Sequence, residues 1–323
     1  MKIKYFIGPM SKLVVDSIIE FSEETGNTIG LIPSRRQVEY NGGYVNNWTT
    51  EAFKKYTNDF FVTRDHGGPG QGLKMDDGYE SLGIDCKHLD MIHIDPWKRY
   101  PQYEEGLNKT IEMIKYCHKE NPNMLFEVGT EESIRRFTAN EINQLLIDLK
   151  KALEVEEYNQ ILYCVIQSGT SLKGNVNTGL YDTKRLVSMI EVVQNHGFLS
   201  KEHNGDYLPV ALIREKFSLG LDSINIAPEF GQIETKTFLE KIKNEKPELL
   251  DTFWAICYES RRWEKWIDNN FDPIKQKEEL INICGHYVLS YPDFQKEIKS
   301  RFDDIDEEIK NNIKKKLETL FNG

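Results

Sequence analysis

The sequence predicts a (β/α)8 TIM barrel with a C-terminal helical extension. Three observations carry this. Eight short apolar runs alternate with longer amphipathic stretches before residue 246. Nearly every run ends in glycine or polar residues, and beyond residue 246 the strand signals stop. Strands alternating with helices argue for a parallel sheet, and a count of eight argues for closure. The rival architecture is an open doubly wound sheet. The expected division is a barrel over residues 1–246 and helices over 247–323 packed on it.

The first run, Tyr5-Phe6-Ile7, ends at Gly8-Pro9 and precedes a helix that stops at Gly26. The second spans Thr28 to Ile32, and Thr49 or Thr50 caps the helix after it. The third, Phe60 to Thr63, leads into Arg64-Asp65-His66-Gly67-Gly68-Pro69. The fourth is Met91 to Asp95, followed by a helix over 106–118. The fifth is Met124 to Val128; Thr138 and Glu141 then form a capping box for a helix to Leu153. The sixth is Ile161 to Ile166, with a helix from Asp182 closed by Gly197. Phe198 to Ser200 and Ser223 to Ala227 are the seventh and eighth, each followed by a helix. The tail predicts helices over Leu249–Asp268, Gln276–Leu289 and Glu307–Phe321.

A formal net charge of −11 argues against nucleic acid and anionic membrane as partners. No window approaches a membrane-spanning apolar run, and no secretory h-region opens the chain, so the cytoplasm is the expected compartment. The five cysteines lack C-x-x-C spacing, which argues against a disulfide framework and a thiolate zinc site.

A barrel gathers the C-terminal ends of its strands at one rim. The rim residues expected here are Arg35 and Arg36, Asp65 and His66, His93 and Asp95, Glu127, Gln167, His203, and Asn225 with Glu229. Strand alternation puts His93 and Asp95 on one face. Several imidazoles and carboxylates at one rim predict a divalent metal site, with Zn²⁺ the ion such donors suit and Mn²⁺ the alternative. His66, His203, His93 and Glu127 are the candidate ligands. Arg35 and Arg36 are candidates to clamp a phosphate or carboxylate, and Gln37, Gln167, Asn225 and Glu229 to contact substrate. A lone histidine in a strand is more often a hydrogen-bonded core residue, which is the bland reading of His93. The run Gly67 to Gly72 is not a nucleotide loop, because Pro69 removes a donor and the spacing is not G-x-G-x-x-G. His88, His118, His196 and His286 are expected at the surface or as caps.

The segments Gln37 to Tyr44, Asp65-His66-Gly67-Gly68-Pro69, Ile92-His93-Ile94-Asp95, Val128-Gly129-Thr130-Glu131 and Glu202 to Tyr207 occur in that order. Together they resemble the tagatose-bisphosphate aldolase accessory-subunit family (GatZ/KbaZ) over roughly residues 5 to 235. The resemblance implies an aldolase-type barrel, zinc held by His66 and His203, and proton transfer at Asp65. Gln167 stands where the true aldolases carry a further ligand histidine.

The expected activity is metal-dependent aldol cleavage, or C4 epimerisation, of a ketose phosphate or ketouronate. Asp65, Asp95 and Glu127 are the candidate proton carriers. Two alternatives are a non-catalytic subunit that stabilises a partner aldolase, and a sugar-phosphate isomerase. The expected partners are a sugar phosphate or related anionic sugar, and a second copy or a partner aldolase subunit.

Overall fold

The computed structural model describes residues 2–173, 176–267 and 270–322. Eight parallel strands form one sheet: β1 (Tyr5–Ile7), β2 (Gly30–Leu31), β3 (Thr63–Gly67), β4 (Met91–Ile94), β5 (Leu125–Val128), β6 (Ile161–Ile166), β7 (Leu199–Glu202) and β8 (Ser223–Ile226). Each strand pairs with its sequence neighbour, and β1 pairs with β8. Isolated parallel bridges from Leu31 to Val62 and from Ser34 to Asp65 join β2 to β3 and close the barrel.

Helices follow the strands: α1 (Lys12–Thr25), α2 (Thr50–Thr57), α3 (Tyr79–His88), α4 (Tyr103–Glu120), α5 (Ala139–Ala152), the short α6 (Val155–Asn159), α7 (Thr183–Asn195), α8 (Val210–Ser218) and α9 (Pro228–Glu245). Their starts follow from local chemistry. The Ser11, Thr49 and Asp182 side chains accept from the first-turn amides of α1, α2 and α7. Thr138 and Glu141 form the reciprocal capping box of α5.

The barrel has two apolar layers. Side chains on the outer strand face, such as Ile92 and Ile94, pack under the helices. Phe6, Ile32, Met91 and Tyr163 fill the barrel floor. Gly30 is required there, since a Cβ on it would lie 2.3 Å from the Phe6 ring. Helices α10 (Leu250–Glu259), α11 (Lys277–Cys284), α12 (Pro292–Glu297) and α13 (Ile305–Asn322) continue the outer layer. Ile309, Ile313 and Leu317 of α13 are buried, and the helix packs on α1 and α9.

Several bounds differ from expectation. The third ladder runs Thr63–Gly67 rather than Phe60–Thr63. Its polar residues read as loop, yet a closed barrel gives such residues a place inside. The long aromatic helix predicted from Leu249 ends at Glu259, because Arg261 takes a left-handed φ of 55°. A 3-10 turn over Glu264–Trp266 follows, and the expected end at Asp268 lies outside the described residues. The helix expected to Leu289 stops at Cys284. His286, expected at the surface, is buried with neither ring nitrogen hydrogen-bonded, and burial pushes its pKa down to about 3. All five cysteines are buried free thiols. Among the described residues no helix is long and apolar enough to cross a membrane.

Candidate metal centre and active site

The site begins with a break in strand alternation. The β3–β4 register shifts between Arg64 and Gly67, and His66 sits at φ 49°, a conformation L-residues seldom adopt. Two consecutive side chains, Asp65 and His66, therefore join one cluster at the mouth instead of pointing to opposite faces. Gly68 continues the turn at φ 132°, where a Cβ would lie 2.7 Å from Met113 Cε. Gly68 thus lets the chain approach its own core.

Three imidazoles form a nearly equilateral triangle. Ring centroids of His66 and His93 are 5.0 Å apart, His93 and His203 5.0 Å, and His66 and His203 5.2 Å. An oxygen engages one nitrogen of each ring. His66 Nδ1 lies 2.6 Å from Asp95 Oδ2, His93 Nε2 2.9 Å from the Gly129 carbonyl, and His203 Nε2 2.7 Å from Glu127 Oε1. His66 Nε2 and His203 Nδ1 then face Asp65 Oδ1 at 3.7 and 3.8 Å. His93 Nδ1 accepts from the His66 amide at 3.4 Å. Asp65, His66, His93 and His203 each place one ligand atom within 4.8 Å of the others.

This cluster could hold a metal ion. Asp65 Oδ1 is buried without a hydrogen-bond partner, a costly state that a cation would relieve. Outer acceptors on metal-binding imidazoles fix the tautomer and aim the free lone pair inward.

The charges agree. Burial disfavours a charged His66, but the Asp65 and Asp95 carboxylates outweigh it and raise the pKa to about 10. Burial lowers that of His93. Burial acts to raise Glu127, yet Lys201, His93 and His203 hold it well below the usual carboxylate range. Lys201 Nζ lies 2.7 Å from Glu127 Oε2 and 3.8 Å from the centre of the Phe6 ring, so this ion pair rests on the barrel floor.

Above the cluster opens a cavity of about 520 Å³. Of the candidate site residues, Arg36, Gln37, Asp65, His66, His203 and Asn225 line it. Asn225 Oδ1 is another buried acceptor without a partner. His93 is fully buried within the cluster.

The remaining expectations need correction. Arg35 is buried against Glu39, Asp76 and the Gly68 carbonyl, which leaves Arg36 as the only clamp candidate of the pair. Gln167 bonds the backbone of Thr130, Arg135 and Phe137, fastening the loop before α5. Glu229 accepts from the Tyr207 amide and pairs with Lys316. Both Glu127 oxygens are engaged by Lys201 and His203, so it holds the His203 ring in place rather than facing the centre of the cluster. Asp95 does the same for His66, and also accepts from Thr130 Oγ1 and the Trp97 amide.

Sequence reasoning missed Gln71, Lys98, Glu131, Asn204 and Asp206, which also line the cavity. It also missed its far wall, made by Tyr44 and by the tail residues Arg262, Lys265, Trp266 and Tyr287. Glu131, Asn204 and Asp206 lay within segments already singled out. Nothing local marks the tail residues, because the folded chain alone brings them to the mouth.

The sequence matches no family model and no curated protein. Solved structures do resemble it. A probable tagatose 6 phosphate kinase from Sinorhizobium meliloti 1021 aligns over 100% of both chains at TM-score 0.81 and 15% identity. This chain has the TIM-barrel fold. The fructuronate-tagaturonate epimerase UxaE from Cohnella laeviribosi aligns with 98% of this chain and 81% of its own at TM-score 0.64 and 13% identity. The YdjI aldolase from Escherichia coli K12 aligns with 99% and 92% at TM-score 0.56 and 12% identity. At these identities the likeness is one of fold.

Proposed function

We propose that this protein is a metal-dependent enzyme that breaks and remakes the C3–C4 bond of an anionic ketose, as an aldolase or a C4 epimerase. The observation that carries this reading is the imidazole triangle, with outer nitrogens held and the unpartnered Asp65 carboxylate beside it. The aldolase and epimerase among the fold neighbours support the choice of reaction.

His66, His93 and His203 would hold the ion, Zn²⁺ or Mn²⁺, with Asp65 completing or flanking the set. When bound, the ion supplies Lewis acidity to the ketose carbonyl and an adjacent hydroxyl. Asp65 accepts the C4 hydroxyl proton as C3–C4 breaks. The C4–O bond becomes a carbonyl, and the bonding pair passes through C3 into the C2 carbonyl. Release of the aldehyde, followed by protonation of the enolate at C3 by solvent, completes an aldol cleavage. Rotation of the aldehyde and re-addition, with Asp65 returning its proton, inverts C4. Arg36 anchors the anionic end, and Gln37 and Asn225 border the sugar.

The test is metal content and turnover of the purified protein. It is incubated with Zn²⁺ or Mn²⁺ and a panel of ketose phosphates and ketouronates, and products are read by NMR. The expected result is stoichiometric metal with an inverted ketose or cleavage products, both lost in His66→Ala and His203→Ala. Unchanged metal content in both variants overturns the assignment. Stoichiometric metal without turnover, together with co-purification of a second barrel protein, would replace the enzyme by the accessory subunit.

A further inference from the structure

The cavity has a cationic far wall that the metal-type cluster does not use. Arg36 follows β2, Lys98 lies three residues beyond Asp95, and Arg262 and Lys265 come from the turn after α10; all four line the cavity. These segments are distant in sequence, so only the fold assembles the group.

Aromatic rings underlie the two tail cations. The Arg262 guanidinium lies 5.6 Å from the Tyr44 ring centre and 5.9 Å from that of Tyr287. Lys265 Nζ lies 4.2 Å from the Trp266 ring centre and 5.5 Å from that of Tyr287. Such faces hold a cation in place without cancelling its charge. Glu264 and Arg261 also line the cavity, and they pair with each other at 3.3 Å, so that acid's charge is taken up by a cation outside the four. Among the described residues, none of the four forms an ion pair with a carboxylate within 4.0 Å. This stands out in a chain of net charge −11, where most cations could find an acid.

We infer that Arg36, Lys98, Arg262 and Lys265 form a subsite for a phosphate monoester, which makes the substrate of this cavity a phosphorylated sugar. A carboxylate offers two oxygens and one negative charge. A phosphate monoester offers three terminal oxygens and close to two charges at neutral pH. Two guanidiniums and two ammoniums match the second better. The electrostatics accord with this. Burial, and then Arg36, Arg262 and Lys98, lower the Lys265 pKa to about 8, as expected where cations crowd together without an anion. The subsite is drawn from three separate segments: Arg36 after β2, Lys98 after β4, and the two tail residues after α10.

This inference rests on the reading of the cavity as the substrate site, but its test needs no metal. The full-length protein, stripped of metal by a chelator that is then removed, is titrated with inorganic phosphate by calorimetry near pH 7. The expected result is saturable binding at millimolar or lower concentration, tighter than acetate. Arg262→Gln and Lys265→Gln should each weaken it about tenfold or more, the effect of losing a charge-assisted hydrogen bond. Arg262→Lys should restore part of the loss. Circular dichroism and the unfolding midpoint check that each variant is folded. Absence of saturable binding overturns the subsite, as does unchanged binding in both glutamine variants. Acetate bound as tightly as phosphate overturns the phosphate assignment. Because metal is absent throughout, failure here leaves the histidine cluster standing, and failure of metal binding leaves this result standing.

Discussion

Arg64 and Asp65 are neighbours in β3, yet their polar atoms meet opposite fates. Arg64 is fully buried toward the outer layer, and Asp85, Thr50 and the Pro33 and Val38 carbonyls take its guanidinium at 2.7–3.1 Å. Asp65 faces the mouth, and its buried Oδ1 has no partner. The closed network has nothing left to offer a ligand. The open one holds an unmet demand for a cation. Saturation of hydrogen bonds, rather than burial or charge alone, separates the supporting ions of this barrel from those that can act. Lys216, Glu202 and Ser168 form another closed network.

The strongest challenge to this contrast is on the closed side. Arg64→Ala leaves Asp85 buried without its ionic partner, which should cost about 3–5 kcal/mol of stability. Urea unfolding measures it, and a loss under about 1 kcal/mol would mean that the outer network is not structural.

Glu234 sits between the extremes, buried with a single side-chain donor, Ser11. Burial raises its pKa from 4.5 to about 7. The native state therefore holds this proton over a range where the unfolded chain has lost it. The resulting penalty is absent below pH 4.5, grows as pH rises to 7 and is complete above. Its ceiling is roughly 3 kcal/mol. Glu234→Gln should therefore stabilise the protein at pH 8 and much less at pH 5. An equal effect at both values, in urea midpoints, would show that the carboxylate is not held protonated.

The smallest expected effect sharpens the contrast most. Asp95→Asn keeps the shape beside His66 but loses the charge that orients it. Metal affinity should fall about 10- to 100-fold, as for other outer-shell changes. Competition against a chelator reads this, with little change in the unfolding midpoint. Unchanged affinity would reduce Asp95 to packing.

The barrel was legible because its signals are local and repeated. Eight apolar runs, the Thr138–Glu141 box and the caps at Thr49 and Asp182 need no knowledge of distant residues. The cluster of Asp65, His66, His93 and His203 was legible for a related reason, since strand ends share a rim. What sequence could not decide was which polar atoms were already engaged. Arg35 and Arg36 look alike in sequence, and only the folded loop assigns one to Asp76 and the other to the cavity. Glu127 read as a ligand because Lys201, its partner in space, lies 74 positions away. The wall built by Arg262 and Lys265 was invisible because the helix expected there breaks at Arg261.

That break sets up a consequence for how such a protein can change over generations. The floor of the cavity is written into barrel strands, where each residue is also part of the core. Part of its far wall is written into a short turn that carries Arg262 and Lys265. Substitutions in the turn leave the strands undisturbed, so what is held and what is done to it can be inherited, and altered, through separate stretches of the chain.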